Sequence, residues 1–144
     1  MKPAVLLDTG QLVAFLSRRD RHHGWAVGAF EDLEAPFLTC EAVLSEACFL
    51  LQKARGGVRA VMELITRGLI RVPFRFESEA PAIRRLLARY ADVPMSFADA
   101  CIVRMSEQFP SALLLTLDGD FTLYRRSGRQ TIPLAMPGSS AGRG

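Results

Sequence analysis

Apolar residues fall along the chain in two rhythms. Short unbroken runs alternate with longer stretches in which apolar positions recur every three or four residues. The runs predict strands at Ala4–Leu7, Pro36–Thr39, Leu69–Pro73, Ala112–Leu117 and Thr131–Leu134. The periodic stretches predict helices at Gln11–Leu16, Gly24–Leu33, Glu41–Ala54, Val58–Arg67, Glu77–Ala91 and Ser96–Gln108. Gly56-Gly57, Gly68 and Pro110 punctuate them. Within Glu77–Ala91, Ile83, Leu86, Leu87 and Tyr90 share a face, and Arg84, Arg85 and Arg89 lie off it. Strands alternating with helices imply right-handed crossovers and a mostly parallel sheet covered on both sides. In such sheets ligands bind at the carboxyl ends of the strands. The 144 residues suit one domain, taken as 1–136, and the closing "PGSSAGRG" of 137–144 lacks large apolar residues and reads as disordered.

Against this pattern, several acids stand where an apolar residue is expected. Asp8 directly follows "AVLL", so a strand delivers its carboxylate to the sheet edge, where it either caps the next helix or faces a ligand. Glu46 lies in "EAVLSEACFLL", on a helix apolar nearly all round and therefore expected to be largely buried. Capping cannot explain a mid-helix acid, and burial would demand a partner cation; an exposed edge or a pairing arginine is the alternative. Asp99 follows Ser96 at capping-box spacing in "SFADACIV". Asp118 ends the run "LLLTL" as Asp8 ends "AVLL"; Asp118-Gly119 is also a turn signal, which leaves Asp120 and Thr116 unexplained. The topology sends these acids towards one place. Clustered carboxylates raise one another's pKa, and a divalent cation relieves that. An all-oxygen set without Cys or His suits Mg²⁺ or Mn²⁺ rather than zinc.

Bulk composition adds modest constraints. The chain is 49% hydrophobic and 23% charged, and no apolar run approaches the roughly 20 residues that span a bilayer, so a cytoplasmic location is expected, with no membrane. Cys40, Cys48 and Cys101 are odd in number, lack metal-site spacing and read as buried thiols. The net charge is +3, carried almost wholly by arginine, which suits phosphate contacts. Arg18, Arg19 and Arg21 near the first acid, and Arg125, Arg126 and Arg129 near the last, are the candidates for holding a nucleic-acid backbone, or else form a solvated face. His22 and His23 read as surface or edge-packed residues, and Trp25 and Phe30 as helix packing.

"LLDTG", "VLSEACFLL", "SFADACIV" and "LLLTLDGDF" resemble, in this order, the acidic motifs of PIN-domain nucleases, and most nearly the VapC-type toxins of toxin–antitoxin pairs. The resemblance covers about Val5 to Leu134. It implies a three-layer α/β/α sandwich and divalent-metal-dependent cleavage of RNA phosphodiesters. It carries Asp8, Glu46, Asp99 and Asp118 over as the acidic quartet, Asp120 as an additional acid, and Thr9, Ser96 and Thr116 as supporting groups. Mg²⁺ or Mn²⁺ is the implied cofactor. RNA is the implied substrate, a small antitoxin the implied protein partner, and a homodimer the implied assembly. A housekeeping RNA-processing enzyme and a non-catalytic RNA- or protein-binding module on the same fold are the alternatives. "LLDTG" alone also suits an aspartic protease, but those are β-rich and need a second aspartate sharing a proton. A phosphatase of the haloacid-dehalogenase type wants an acid where Gly10 stands.

Overall fold

Three consecutive buried residues make the central strand, β1 (Val5–Leu7), and their side chains alternate between two cores. A computed structural model describes residues 3–34 and 36–138. After β1 come α1 (Thr9–Leu16), α2 (His23–Asp32), β2 (Phe37–Leu38), α3 (Glu41–Leu50), α4 (Gly57–Thr66), β3 (Ile70–Arg71), α5 (Phe76–Arg89), α6 (Phe97–Gln108) and β4 (Leu113–Leu115). A 3₁₀ turn at Gly119–Thr122, a hairpin of β5 (Arg125–Arg126) and β6 (Gln130–Thr131), and β7 (Leu134–Ala135) complete the chain. The five-stranded sheet has the order β3-β2-β1-β4-β7, and every pairing in it is parallel. The expected parallel α/β architecture is therefore present, with helices on both faces.

Leu6 and Leu114 point into a core built with α5 and α6, where Ile83, Leu86, Cys101, Ile102 and Met105 pack. Val5, Leu7 and Leu115 point to the opposite core, with Leu12, Ala47, Leu51 and Val61. Phe15, Phe30 and Phe37 run through that second core as an aromatic chain with centroids 4.2 and 4.6 Å apart, and Trp25 packs there too. Cys40 and Cys101 are buried and Cys48 is half-buried; all three are free thiols. The chain builds β2 and β3 on one side of β1, then crosses to place β4 on the other. That reversal opens a crevice between the carboxyl ends of β1 and β4.

Two expectations need correction. The third helix stops at Leu50, not Ala54, because Gln52, Ala54 and Gly57 bond carbonyls three residues back and the chain turns; Gly56, at φ 68°, supplies the left-handed residue that starts α4. The single last strand expected at Thr131–Leu134 is two strands in two sheets. Gln130–Thr131 closes an antiparallel hairpin whose turn uses left-handed Ser127 and Gly128, and Leu134–Ala135 joins β4. Of the expected tail, 137–138 form a turn, and 139–144 lie outside the described residues.

Candidate active site

The crevice beside β1 and β4 is an open cleft of about 580 Å³, and Asp8, Thr9, Glu46, Ser96, Asp99 and Asp118 all line it. Residues from four separate motifs thus meet at one place. Asp8 is 6% exposed and begins α1 as its N-cap, its Oδ1 accepting from the Thr9 backbone N–H at 2.8 Å. Its Oδ2 accepts from the Thr116 hydroxyl at 2.8 Å. Capping and a place in the cleft are therefore both true of Asp8. Burial lifts its carboxyl to about pKa 6, against the pull of those two hydrogen bonds, and the charges of Asp99 and Asp118 lift it further.

Thr116 follows β4, is fully buried, and serves two acids at once. It donates to Asp8 and accepts from the Asp118 backbone N–H at 2.9 Å. Asp118 then caps the 3₁₀ turn, taking the Asp120 backbone N–H on Oδ1 at 2.8 Å. Asp120 itself is not among the residues that line the cleft. Asp99 is fixed by the capping box expected from the sequence. Its backbone N–H donates to Ser96 Oγ at 3.0 Å and its Oδ2 accepts from the Ser96 backbone N–H at 3.1 Å. Burial raises the Asp99 pKa, opposed by the Ser96 N–H and by Tyr124.

Tyr124 is a site residue that the sequence reading missed. Its hydroxyl, on a fully buried side chain, donates to Asp99 Oδ2 at 3.1 Å and lies 3.3 Å from the Pro94 carbonyl. Burial and the facing Asp99 carboxylate push the phenol well above its ordinary pKa, so it remains a donor. The string "DGDFTLY" contains nothing that separates Tyr124 from a core aromatic, since Phe121 three residues earlier is buried in the same cluster. Thr39 was also missed. It is fully buried and ties the end of β2 to the Leu7 carbonyl at 2.9 Å, beside Asp8.

Glu46 reaches the cleft for a reason other than the expected one. Helix α3 buries only Val43 and Ala47, while Phe49 and Leu50 stand 68% and 58% exposed, and Glu46 is exposed as well. An all-apolar stretch on a surface helix does not bury its acids, so burial implies no partner cation here. What fixes Glu46 is the Thr9 hydroxyl, which donates to Oε2 at 3.1 Å.

The arginine candidates divide sharply. Arg126 is 9% exposed and its Nη1 donates to the Ser106 carbonyl at 2.9 Å, while Arg125 donates to the Thr122 and Tyr124 carbonyls. These two hold the hairpin to the domain instead of offering free cations to a ligand. Arg21 donates to His22 Nε2 at 3.1 Å, and His23 Nδ1 lies 2.7 Å from the Ala14 carbonyl, which places both histidines in local packing. Arg18, Arg19 and Arg129 are exposed, with no hydrogen bond or ion pair among the described residues.

Among the described residues, no three acidic, histidine or cysteine side chains converge closely enough to hold an ion as they stand. The carboxylates line one cleft, not one coordination shell. The donor set nevertheless fits a hard divalent cation. It consists of carboxylate and hydroxyl oxygens, and no Lys, Arg or His lines the cleft to balance the charge that helps raise Asp8. No helix among the described residues is long and apolar enough to cross a membrane. A family model described as PIN domain matches residues 5–126. No curated protein matches the chain.

Proposed function

Because the chain belongs to the PIN-domain family, whose members are generally nucleases, we propose that it is a divalent-metal-dependent endoribonuclease acting as the toxin of a VapBC-type pair. One observation carries the reading: Asp8, Glu46, Asp99 and Asp118, spread over 111 positions of sequence, line a single cleft at the point where the strand order reverses. Mg²⁺ or Mn²⁺ would be held by Asp8 and Asp99, with Glu46 and Asp118 completing the set. When bound, such an ion neutralises charge developing on the phosphate and acidifies an attacking water.

The protein's own groups account for the rest. Thr116 and the Thr9 N–H each occupy one oxygen of Asp8, so its carboxylate cannot rotate away from the cleft. The Ser96 N–H and the Tyr124 hydroxyl both donate to Asp99 Oδ2 and fix that carboxylate through one oxygen. Glu46 is held by one hydroxyl on Oε2, and Oε1 has no partner among the described residues. It is the better base for the water's proton, since Asp8 has both oxygens engaged. The exposed Phe49 and Leu50 of α3 and Val58 and Met62 of α4 offer apolar surface to a protein partner, either an antitoxin or a second copy.

The test is cleavage of single-stranded RNA with Mg²⁺ or Mn²⁺, with EDTA as the control, for wild type, Asp8→Asn and Asp99→Asn. Loss of cleavage in EDTA and in both variants is expected. Metal-independent cleavage, or full activity in both variants, refutes the mechanism.

A further inference from the structure

An acidic cleft is a poor place to hold a polyanion. None of the residues lining it is Lys, Arg or His, and four carboxylates repel an approaching phosphate chain. On the nuclease reading, the affinity for RNA must come from cations outside the cleft. The hairpin arginines Arg125 and Arg126 are engaged with backbone carbonyls.

The two helix paths that leave the cleft lead to another set. Thr9 opens α1 and Glu46 sits on α3, and their side chains are bonded. Both helices follow parallel strands, β1 and β2, and leave the strand ends side by side. Seven residues beyond Thr9 is Leu16, and seven beyond Glu46 is Lys53. The two paths meet again there, around a separate cavity of about 470 Å³ lined by Leu16–Arg19 from one side and Lys53–Arg55 from the other. Arg18, Arg19, Lys53 and Arg55 are all exposed, and no acid lines the cavity. None of the four has a hydrogen bond or ion pair among the described residues. The nearest acid in sequence, Asp20, is occupied by the backbone N–H of His22.

Cations at helix ends often serve the helix itself by meeting its last carbonyls. Here the Val13 carbonyl is taken by the Ser17 N–H and the Ala47 carbonyl by the Leu51 N–H, with no arginine or lysine involved. The four charges are therefore not absorbed by the fold. Along α1, which runs from Thr9 to Leu16, seven residues at about 1.5 Å each put the cavity about 10 Å from the cleft. That is roughly three phosphates along a stacked strand at about 3.4 Å each.

We infer that Arg18, Arg19, Lys53 and Arg55 form a phosphate-binding exosite that holds the RNA backbone a few nucleotides from the bond presented to the carboxylates. The cleft then needs to recognise only one phosphate, and the exosite sets the direction in which the strand lies.

The test measures binding of a fluorescein-labelled 12-nucleotide single-stranded RNA by anisotropy in EDTA, where cleavage does not compete. Wild type is compared with Lys53→Glu/Arg55→Glu and with Arg84→Glu/Arg85→Glu, an exposed pair on α5 across the sheet. The first double variant is expected to bind at least tenfold more weakly. Its log–log salt slope should flatten by about 1.4, two contacts at about 0.7 each. The α5 pair should change affinity less than threefold, and all three proteins should melt at the same temperature. Equal losses in the two double variants, or no loss in the first, overturn the exosite. A 12-residue oligoglutamate that binds wild type as tightly as the RNA overturns the assignment to phosphate. Binding is read without divalent ion, so a protein that fails to cut RNA can still support the exosite. One that cuts while Lys53→Glu/Arg55→Glu binds normally removes the exosite alone.

Discussion

Asp8 and Asp118 occupy equivalent places and live in different environments. Each follows a buried strand, β1 or β4, and the two strands are paired in register from Val5↔Leu113 to Leu7↔Leu115. Each also caps the turn of helix that follows it. Asp8 stands one residue beyond its strand, is buried, and is lifted to about pKa 6. Asp118 stands three residues beyond, half-buried in the 3₁₀ turn. Two residues of extra reach separate a carboxylate that pays for desolvation from one that stays near water. Thr116 joins the pair, so the rigid acid and the looser one share a single hydroxyl.

The sharpest way to break this comparison is to neutralise each acid in turn. Asp8→Asn should lower Mn²⁺-dependent RNA cleavage by about 100- to 1000-fold. Asp118→Asn should lower it by about tenfold less, and equal losses in single-turnover rates would erase the distinction. Stability against pH comes next. A folded pKa of about 6 against the ordinary 3.8 means that the metal-free folded state binds the Asp8 proton more tightly. The Asp8 contribution is therefore full below about pH 4 and lost as pH rises through about 6. The loss is on the order of 3 kcal/mol. Urea melts in EDTA from pH 4 to 7 should show wild type losing stability relative to Asp8→Asn over that window.

Thr116→Val keeps the shape and removes the shared hydroxyl. It should cost about 10- to 100-fold in activity or Mn²⁺ affinity, as supporting groups of metal sites commonly do, and isothermal titration with Mn²⁺ separates the two. The smallest effect falls on Tyr124→Phe, whose lost hydroxyl bonds only one of the acids, Asp99. Activity should drop about threefold. The acid limb of the pH–rate profile should move upward, because a hydrogen bond that lowers the Asp99 pKa is gone.

The parallel sheet and the strand-end acids were legible because both rest on local patterns: an apolar run, then a carboxylate. Ser96 and Asp99 were legible for the same reason, since capping-box spacing is written in four residues. Glu46 was found through a mistaken premise. Its helix is apolar in sequence, yet α3 lies at the surface with Phe49 and Leu50 exposed, and only packing against the rest of the chain decides that. Tyr124 and the Lys53–Arg55 side of the basic cavity were not legible. Their meaning depends on which distant residue faces them, Asp99 for one and Arg18 and Arg19 for the other. Arg125 and Arg126 failed conversely, because charge in a sequence does not show whether a guanidinium meets solvent or a carbonyl.

The pairing of β1 with β4 has a consequence for how the protein comes into being. Val5 meets Leu113, and Asp8 receives its hydroxyl from a threonine 108 residues later. Synthesis is vectorial, and non-local pairing must wait for both partners. A chain still growing on the ribosome has Asp8, Glu46 and Asp99 long before Thr116 and Asp118 exist to join them. For a protein we propose to cut RNA, a product that ends before Thr116 and Asp118 therefore lacks part of the cleft, and competence waits for β4 and the turn that follows it.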